Sequence, residues 1–380
     1  MSEYQYYEFQ AIDRRLTPDE QQAISQLSSR AKISSSRAIF VYNYGDLPGK
    51  EKQLLVKYFD AMFYIANWGT LQLMFRFPKG LIDVELMQKY CVEDVVEVSE
   101  INDFVILDIS LNDEEGFDGW IEGEGNLSSL IGLRREILQG DYRLLYLAWL
   151  KGITWLKLDE DYDDEKEEEE DDDEKLEPPV PPNLGKLSSS LQAFIEIFGV
   201  DEHLLQAATS GSATKASISE NSLKEAIEKL DRSEVDTFLL RLAKGEANLS
   251  FELSKKLSAM IEVTPDKNPE RRTISQLLKS GAEEEKKTEQ RREKADEALR
   301  IRELEALAKR EMAAWEDVEA FIQKGTSSSY DEAVQLLLKL QDLADYQKQQ
   351  IKFLTRVQKI HTQYSNRSSL KRRLVKVNLV

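Results

Sequence analysis

The apolar positions of residues 1–157 follow two different periods. The segments YQYYEFQAID (residues 4–13) and RAIFVYNY (residues 37–44) are rich in aromatic and β-branched side chains, which is typical of strands. Between them, Thr17-Pro18-Asp19-Glu20 predicts the first turn of a helix, because it offers a capping hydroxyl, an early proline and two carboxylates. Strands and helices therefore alternate from the start of the chain.

The rest of this region continues the mixture. Leu54 to Trp68 (LLVKYFDAMFYIANW) carries apolar side chains at helical spacing and is followed by Gly69, so it predicts a helix. The following LQLMFRF alternates as a strand does, VVEVSEINDFVILDISL predicts a hairpin, and LSSLIGLRREILQGDYRLLYLAWLKGITWL predicts two helices broken at Gly140. Residues 1–157 are thus predicted to form an α+β domain with a mixed or antiparallel sheet.

A carboxylate run ends this region. Residues 159–177 contain fifteen acidic residues and two lysines, and four prolines follow between positions 178 and 182. Because such a run repels itself and buries nothing, residues 158–185 are predicted to be a disordered linker with a stiff, proline-rich end. Proteolysis should then cut here first and leave two folded fragments. The alternative is an acidic decoy that occupies the basic tail or a partner's nucleic-acid groove.

Beyond the run the pattern is helical, and it predicts an all-α C-terminal region in three parts. Residues 186–264 predict a small helical module, residues 270–328 a long polar helix, and residues 329–380 a helical hairpin. Glu311 interrupts the heptad of the long helix, which argues against a long coiled-coil dimer. We expect instead a partly exposed helix that docks its C-terminal half on the last helices.

The end of the hairpin carries the candidate binding site. From Tyr346 to Val380 the chain has nine basic residues and no acidic one. The first four are spaced to lie along one face of a helix, and the other five extend that face. These candidate partner-binding or anion-binding residues are Lys348, Lys352, Arg356, Lys359, Arg367, Lys371, Arg372, Arg373 and Lys376. They suit a protein partner or a phosphate backbone, and equally a solvated face or a counter-charge to the acidic run.

The composition excludes several classes of function. The formal net charge is −19 over 380 residues, which disfavours binding of nucleic acid or anionic membrane by the surface as a whole. With one cysteine, Cys91, and two histidines, His203 and His361, the chain cannot build a Cys/His structural zinc site or an intrachain disulfide. Both histidines are predicted to be structural and Cys91 to serve packing, since none lies in a catalytic signature. We therefore predict no enzymatic activity and no cofactor.

One loop combines charge with flexibility. The stretch DEEGFDGWIEGEG (residues 113–125) has six carboxylates and four glycines. Its carboxylates would repel a phosphate, it lacks the Walker lysine, and its ligand order is not that of an EF-hand. A solvated acidic hairpin loop is therefore expected in preference to a metal site.

The chain shows no signal for a membrane or for secretion. No run approaches the ~18 consecutive apolar residues that span a bilayer, and MSEYQYYEFQ lacks a basic region followed by an apolar one. We predict a cytoplasmic location and no membrane contact.

Five phrases resemble a bacterial family of uncharacterised hypothetical proteins, and together they cover nearly the whole chain. They are YYEFQAIDRRLTPDEQQAISQLSSRAKI, YFDAMFYIANWGT, LEPPVPPNLG, RRTISQLL and YDEAVQLLLKLQDLADYQ. The resemblance brings no catalytic residue, cofactor or fold. Its members are often encoded beside SWIM zinc-finger proteins, and the ending from Tyr330 to Leu374 is similar to the helical ending of such proteins. The resemblance thus implies a SWIM zinc-finger protein as a partner, while Arg15 and the longer acidic run depart from the family pattern.

The function expected from the sequence is that of a non-enzymatic interaction or accessory protein. Its helical C-terminal region would dock a protein partner, for instance one that acts on nucleic acid. The alternative is direct nucleic-acid binding by the basic hairpin. An enzyme with a carboxylate-lined site in the N-terminal domain is the third hypothesis.

Overall fold

The computed structural model of the chain describes residues 3–112, 123–162, 175–214, 219–261 and 271–379, with the backbone alone for residues 157–162. The chain divides into two compact units, Met1–Glu285 and Lys286–Val380. The first unit contains an antiparallel sheet and the second is helical. The predicted fold class, an α+β N-terminal part and an all-α C-terminal region, is confirmed.

The described strands form one sheet. They are β1 (Gln5–Gln10), β2 (Lys32–Ile33), β3 (Arg37–Tyr42), β4 (Ala61–Ala66), β5 (Thr70–Pro78), β6 (Val96–Ile101) and β7 (Phe104–Asn112). Their order is β2-β3-β1-β4-β5-β7-β6, and every neighbouring pair is antiparallel. The predicted hairpin is β6 and β7, joined by a turn in which Asn102 adopts a left-handed φ of 55°.

The first unit also contains helices on and beyond the faces of this sheet. They are α1 (Pro18–Ser25), α2 (Glu51–Tyr58), α3 (Val84–Gln88), α4 (Asn126–Leu130), α5 (Gly132–Leu138), α6 (Arg143–Tyr162), α7 (Ser189–Phe198), α8 (Glu202–Thr209), α9 (Glu220–Glu228), α10 (Arg232–Ala243) and α11 (Leu249–Met260). A further helix, α12 (Ile274–Lys309), begins in the first unit and ends in the second. As predicted, Thr17 caps α1, and its side chain and that of Glu20 form a reciprocal capping box.

Both faces of the sheet are covered. Successive residues of a strand point to opposite faces, so Phe63 packs with the cluster under α4 to α8, whereas Met62 packs with the cluster under α1 and α2. Both side chains are fully buried. The sheet is therefore the middle of three layers.

The predicted helix over Leu54 to Trp68 is wrong beyond Tyr58. There α2 ends, and Ala61–Ala66 forms β4 between β1 and β5, with all six residues buried. A central strand covered on both faces has an unbroken apolar run with no alternation. Such a short run cannot be told from a buried helix by periodicity alone, which explains the error.

The helical end of residues 126–162 has one more break than predicted. Gly140, with a φ of 81°, separates α5 from α6 as expected. The segment before it is not one helix, however, because α4 and α5 are separate helices that meet at Ile131. A Cβ at Gly132 would lie 2.6 Å from the Ser190 hydroxyl of α7. The glycine therefore allows α7 to approach this junction closely.

Two arginines and two carboxylates link four parts of the first unit. Asp13 lies in the loop after β1, Asp60 directly before β4, Arg76 in β5 and Arg134 in α5. Arg76 Nη2 lies 2.6 Å from Asp60 Oδ1, and both side chains are buried. Arg134 donates two 2.8 Å hydrogen bonds to Asp13 and a third, also 2.8 Å, from Nε to the Arg76 carbonyl. Asp60 accepts from the N–H groups of Ile12 and Asp13 at 2.6 and 3.0 Å. The buried charges are thus paired and hydrogen-bonded, as stability requires.

A second ionic contact closes the first unit around residues 175–177 and 271–274. Leu176 pairs with Thr273 in an antiparallel bridge, and the Glu177 N–H donates to the Arg272 carbonyl at 2.9 Å. The Arg272 guanidinium binds both Glu177 carboxylate oxygens, at 2.9 and 3.0 Å, and Tyr146 donates to the same carboxylate. Glu177 is only 2% exposed. Burial and the Glu177 charge together raise the pKa of Tyr146, so the phenol stays a donor.

The predicted linker and the compact units divide the chain at different places. Residues 163–174, the centre of the acidic run, lie outside the described residues. In the following segment Glu177, Pro178, Pro181 and Leu184 are buried, and α7 contributes Phe194 to the same cluster as the sheet. The boundary between the units falls within α12. The break in composition therefore precedes the break in packing.

The second unit is built around one helix. Besides the end of α12 it contains α13 (Glu311–Lys324), α14 (Ser327–Tyr346), α15 (Gln350–Gln363) and α16 (Ser368–Lys376). The predicted long helix is divided at Arg310, where φ is −122°, and the predicted hairpin gains a third helix, α16. Leu304 and Leu307, at the end of α12, are buried with the last helices, as expected. None of the described helices is long and apolar enough to cross a bilayer.

Removing the Asp60 charge should destabilise the sheet strongly. Burial alone would raise the pKa of Asp60, but the charges of Arg134 and Arg76 outweigh it and hold the pKa below its usual 3.8. Asp60→Asn leaves two buried guanidinium groups undercompensated, so we expect a loss of about 3 kcal/mol in free energy of unfolding at pH 7. Native-state hydrogen exchange of the β4 and β5 amides measures it.

The pH dependence provides the check on this assignment. Folding lowers the pKa of Asp60, so its ionised carboxylate stabilises the folded state above pH 3.8. This stability is lost as the pH falls through the lower pKa of the folded state. Asp60→Asn should flatten this part of the acid profile. Asp236→Asn, which removes an exposed partner of Arg232, should change stability by no more than about 0.5 kcal/mol. Equal losses from the two variants would show that the buried network is not what holds the sheet.

Cleavage of the acidic run should not separate the chain into two molecules. The composition predicts that residues 163–174 are cut readily, and a specific protease site placed there makes the cut unique. Because residues 175–185 and α7 pack in the core of the first unit, we expect both fragments to co-elute in native size-exclusion chromatography. They should separate only in denaturant. Native separation into two folded fragments would instead support independent halves.

Candidate partner-binding site

The basic residues predicted from sequence lie around α15 and α16, which α14 supports. α14 contacts α13, α15 and α16, and it buries Tyr330, Leu337 and Leu343 among them. On α15 the spacing of Phe353, Val357 and Ile360 forms one apolar stripe, and all three are buried. The remaining faces of α15 are left for solvent.

Lys348 does not belong to the helical face predicted for it. It lies between α14 and α15 with a left-handed φ of 57°. The Gln349 N–H donates to the Ala344 carbonyl and the Lys348 N–H to the Asp345 carbonyl, at 2.7 and 3.1 Å. This is the Schellman pattern that ends many helices, usually with glycine at the left-handed position. The helical spacing of the basic residues therefore starts at Lys352.

Lys352, Arg356 and Lys359 lie side by side on α15. At ~100° per residue they occupy a sector of about 60° beside the buried stripe, and all three are exposed. The Arg356 guanidinium carbon lies 4.5 Å from the centre of the Trp315 ring, a cation–π contact that fixes its position. Within the described part of the chain, none of the three pairs with a carboxylate.

A cavity of about 150 Å³ opens beside this basic row. Trp315 of α13, Leu343 of α14 and Phe353 of α15 form apolar walls, and Lys352 and Arg356 stand at its edge. The rings of Trp315 and Phe353 are 5.7 Å apart, so the walls hold each other in place. The site thus combines apolar side chains with a polar lining, to which Glu311, Gln347 and Gln349 contribute beside the two cations.

Two of the predicted binding residues make contacts within the unit. Arg373 Nε lies 2.6 Å from Asp331 Oδ1, and its Nη2 donates to the Ser327 hydroxyl at 2.7 Å. Arg367 donates to the Tyr330 hydroxyl at 2.9 Å. The hydrogen bond from Arg373 holds the pKa of Asp331 below its usual range. Both arginines fasten the segment around α16 to α14.

The other basic residues of α16 differ in exposure. Lys371 is half-buried, whereas Arg372 and Lys376 are exposed. The predicted continuous basic face from Lys348 to Lys376 is thus divided into an exposed row on α15 and an exposed pair on α16, while Arg367 and Arg373 contact α14.

Sequence reasoning missed two features of this site. The spacing of Trp315 fits the interrupted heptad of the predicted long helix, but its ring also lines the cavity and stacks with Arg356. Ile351 and Leu354 are 84% and 45% exposed, on a side of α15 different from the basic row. The sequence could have revealed them, because both are apolar residues that do not fit the helical spacing of the Phe353 stripe. They leave exposed apolar surface on α15 apart from the basic row.

The groups considered for catalysis do not converge. His203 and His361 are half-buried, and in the described ranges no three His, Cys, Asp or Glu side chains could hold a metal ion. Residues 113–122 of the acidic loop lie outside the described residues, so its nature stays a prediction. The assignment of Cys91 to packing is wrong. Its side chain is exposed in the turn after α3, where Tyr90 and Val92 take the buried positions.

Comparisons of the chain with protein-family models, with curated proteins and with solved structures find no match. The resemblance to a bacterial hypothetical-protein family therefore stays a prediction from the sequence. Any function must rest on the geometry of the chain itself.

Proposed function

We propose that this is a non-enzymatic interaction protein whose second unit docks an acidic segment of a protein partner on α15. The observation that carries the proposal is the exposed row of Lys352, Arg356 and Lys359 beside the cavity under Trp315. An acidic segment with one apolar side chain would match both features at once.

The two features would contribute differently to binding. Buried aromatic pockets supply most of the affinity at interfaces, because an anchor side chain leaves water there. Charged rims mainly raise the association rate and select the partner by its charge. The proposal therefore assigns affinity to the Trp315 and Phe353 walls and selectivity to the lysines and Arg356.

Direct nucleic-acid binding is the alternative. It is supported by the nine basic residues between positions 346 and 380, where no acidic residue occurs. One observation favours a protein partner over it. Arg367 and Arg373, two of these nine residues, already make contacts within the unit. A nucleic-acid-binding protein such as a SWIM zinc-finger protein satisfies the proposal as a partner, and a cytoplasmic location belongs to the same proposal.

Reversing the basic row should remove partner binding without unfolding the unit. In the full-length chain, Lys352→Glu, Arg356→Glu and Lys359→Glu together should lower the amount of co-purified partner at least about tenfold, measured by quantitative mass spectrometry. All three side chains are exposed, so the circular dichroism spectrum should be retained.

The matched control reverses three exposed charges on α12, Arg291→Glu, Arg292→Glu and Lys294→Glu, and should leave capture unchanged. The same proteins are titrated with fluorescent duplex and single-stranded DNA and RNA at two ionic strengths. Salt-sensitive binding that Arg372→Glu and Lys376→Glu weaken about equally for all sequences would favour the alternative, since each lost phosphate contact removes ~0.9 from the salt slope on duplex DNA. Undiminished capture by the α15 variant would contradict the proposal.

A further inference from the structure

The first unit contains a cavity that the proposed function does not use. It measures about 280 Å³ and lies between the loop after β1, α5 and the start of α11. Ile12, Ile131, Leu138 and Phe251 form its apolar lining. Leu138 is buried and Phe251 packs against the main core, so the wall is part of the folded unit.

The polar lining of the cavity is cationic. Arg134 and Arg135 both line it, against one carboxylate, Asp13. Behind it the charges of Arg76 and Arg134 are balanced by Asp60 and Asp13, so the exposed Arg135 adds a positive charge that this network does not balance. A bound uncharged molecule would leave the positive charge of Arg135 unbalanced, whereas a bound monoanion would neutralise it.

Arg134, which lines the cavity, keeps donors that Asp13 does not use. It is 3% exposed, and each of its terminal nitrogens, which carry two protons, makes one 2.8 Å bond to Asp13. The Nη2 group also lies 3.7 Å from Asp60, beyond hydrogen-bond distance. A carboxylate in the cavity could therefore share the guanidinium with Asp13.

Asn248 adds a neutral donor at the same place. It lines the cavity with a left-handed φ of 63° and precedes α11, yet its side chain makes no capping hydrogen bond to that helix. Its side-chain NH₂ group carries two donors, which helix capping does not use because a cap accepts through the side-chain oxygen. The helix N-terminus there also favours negative charge.

We infer that this cavity binds a small aromatic monocarboxylate, with the ring between Ile131, Leu138 and Phe251 and the carboxylate toward Arg135, Arg134 and Asn248. An apolar cavity of ~150 Å³ already holds benzene, so the larger volume here admits a ring that bears a carboxylate. Asp13 on the wall disfavours a dianion. This site belongs to the first unit and is independent of the partner-binding site on α15.

Benzoate and benzamide are the probes, because they share a shape and differ in charge. Titrations of the full-length chain followed by ligand-observed NMR should show benzoate binding at least about tenfold more tightly than benzamide. Arg135→Ala should remove this preference and Arg135→Lys should keep most of it. Arg15→Ala, an exposed arginine that is not part of the lining, should change nothing.

A second variant tests the place of binding without touching the buried network. Ala247 is exposed at the cavity, so Ala247→Phe should fill it and abolish benzoate binding while the fold is retained. Absence of benzoate binding at millimolar concentration would overturn the inference. So would equal binding of benzoate and benzamide, or benzoate binding that Arg135→Ala and Ala247→Phe leave unchanged.

Discussion

The ion pair between Glu177 and Arg272 joins two positions that are 95 residues apart, and the closure of the first unit depends on it. It holds the end of the acidic run against the start of α12, with Tyr146 of α6 as a third member. Because Glu177 is almost fully buried, loss of Arg272 would leave an uncompensated charge in the core, which typically costs about 3–5 kcal/mol in free energy of unfolding. The segments on both sides of this ion pair also pack in the first unit. Residues 175–185, α7, α8 and the first turns of α12 all pack with the sheet, as the burial of Leu184, Phe194 and Leu277 shows.

The second unit depends on α14 in a similar way. Buried side chains of α14 contact all its neighbouring helices. The Phe353 stripe of α15 is therefore buried, and the other faces of α15 are exposed to solvent. The Arg373 to Asp331 contact then fastens α16. Basic residues therefore serve two purposes in this unit. Those near α14 stabilise the helices, and those on the free side of α15 form the rim of a cavity where charge and apolar surface meet. The proposed docking of an acidic segment follows from that division.

Much of the fold could be predicted from the sequence, and the failures have physical causes. Alternating apolar residues identified β5 and β7, and the capping residue Thr17 marked the start of α1 correctly. β4 was missed because burial on both faces removes the alternation. For the site, charge and spacing indicated the row on α15, but no local pattern could show that Arg373 is paired with a residue 42 positions earlier. The Trp315 wall and the Asp13 to Arg134 contact, 121 positions apart, are likewise products of tertiary packing.

The central claim is that the free side of α15 contacts carboxylates of a protein partner. Zero-length carbodiimide coupling joins a carboxylate to a lysine amine only when the two are in contact, so it reports this interface directly. In a purified complex of the full-length chain with its partner, we predict coupling of partner carboxylates to Lys352 and Lys359, with peptides identified by mass spectrometry. Coupling confined to Lys376 or to lysines of the first unit, with Lys352 and Lys359 unmodified, would contradict the account.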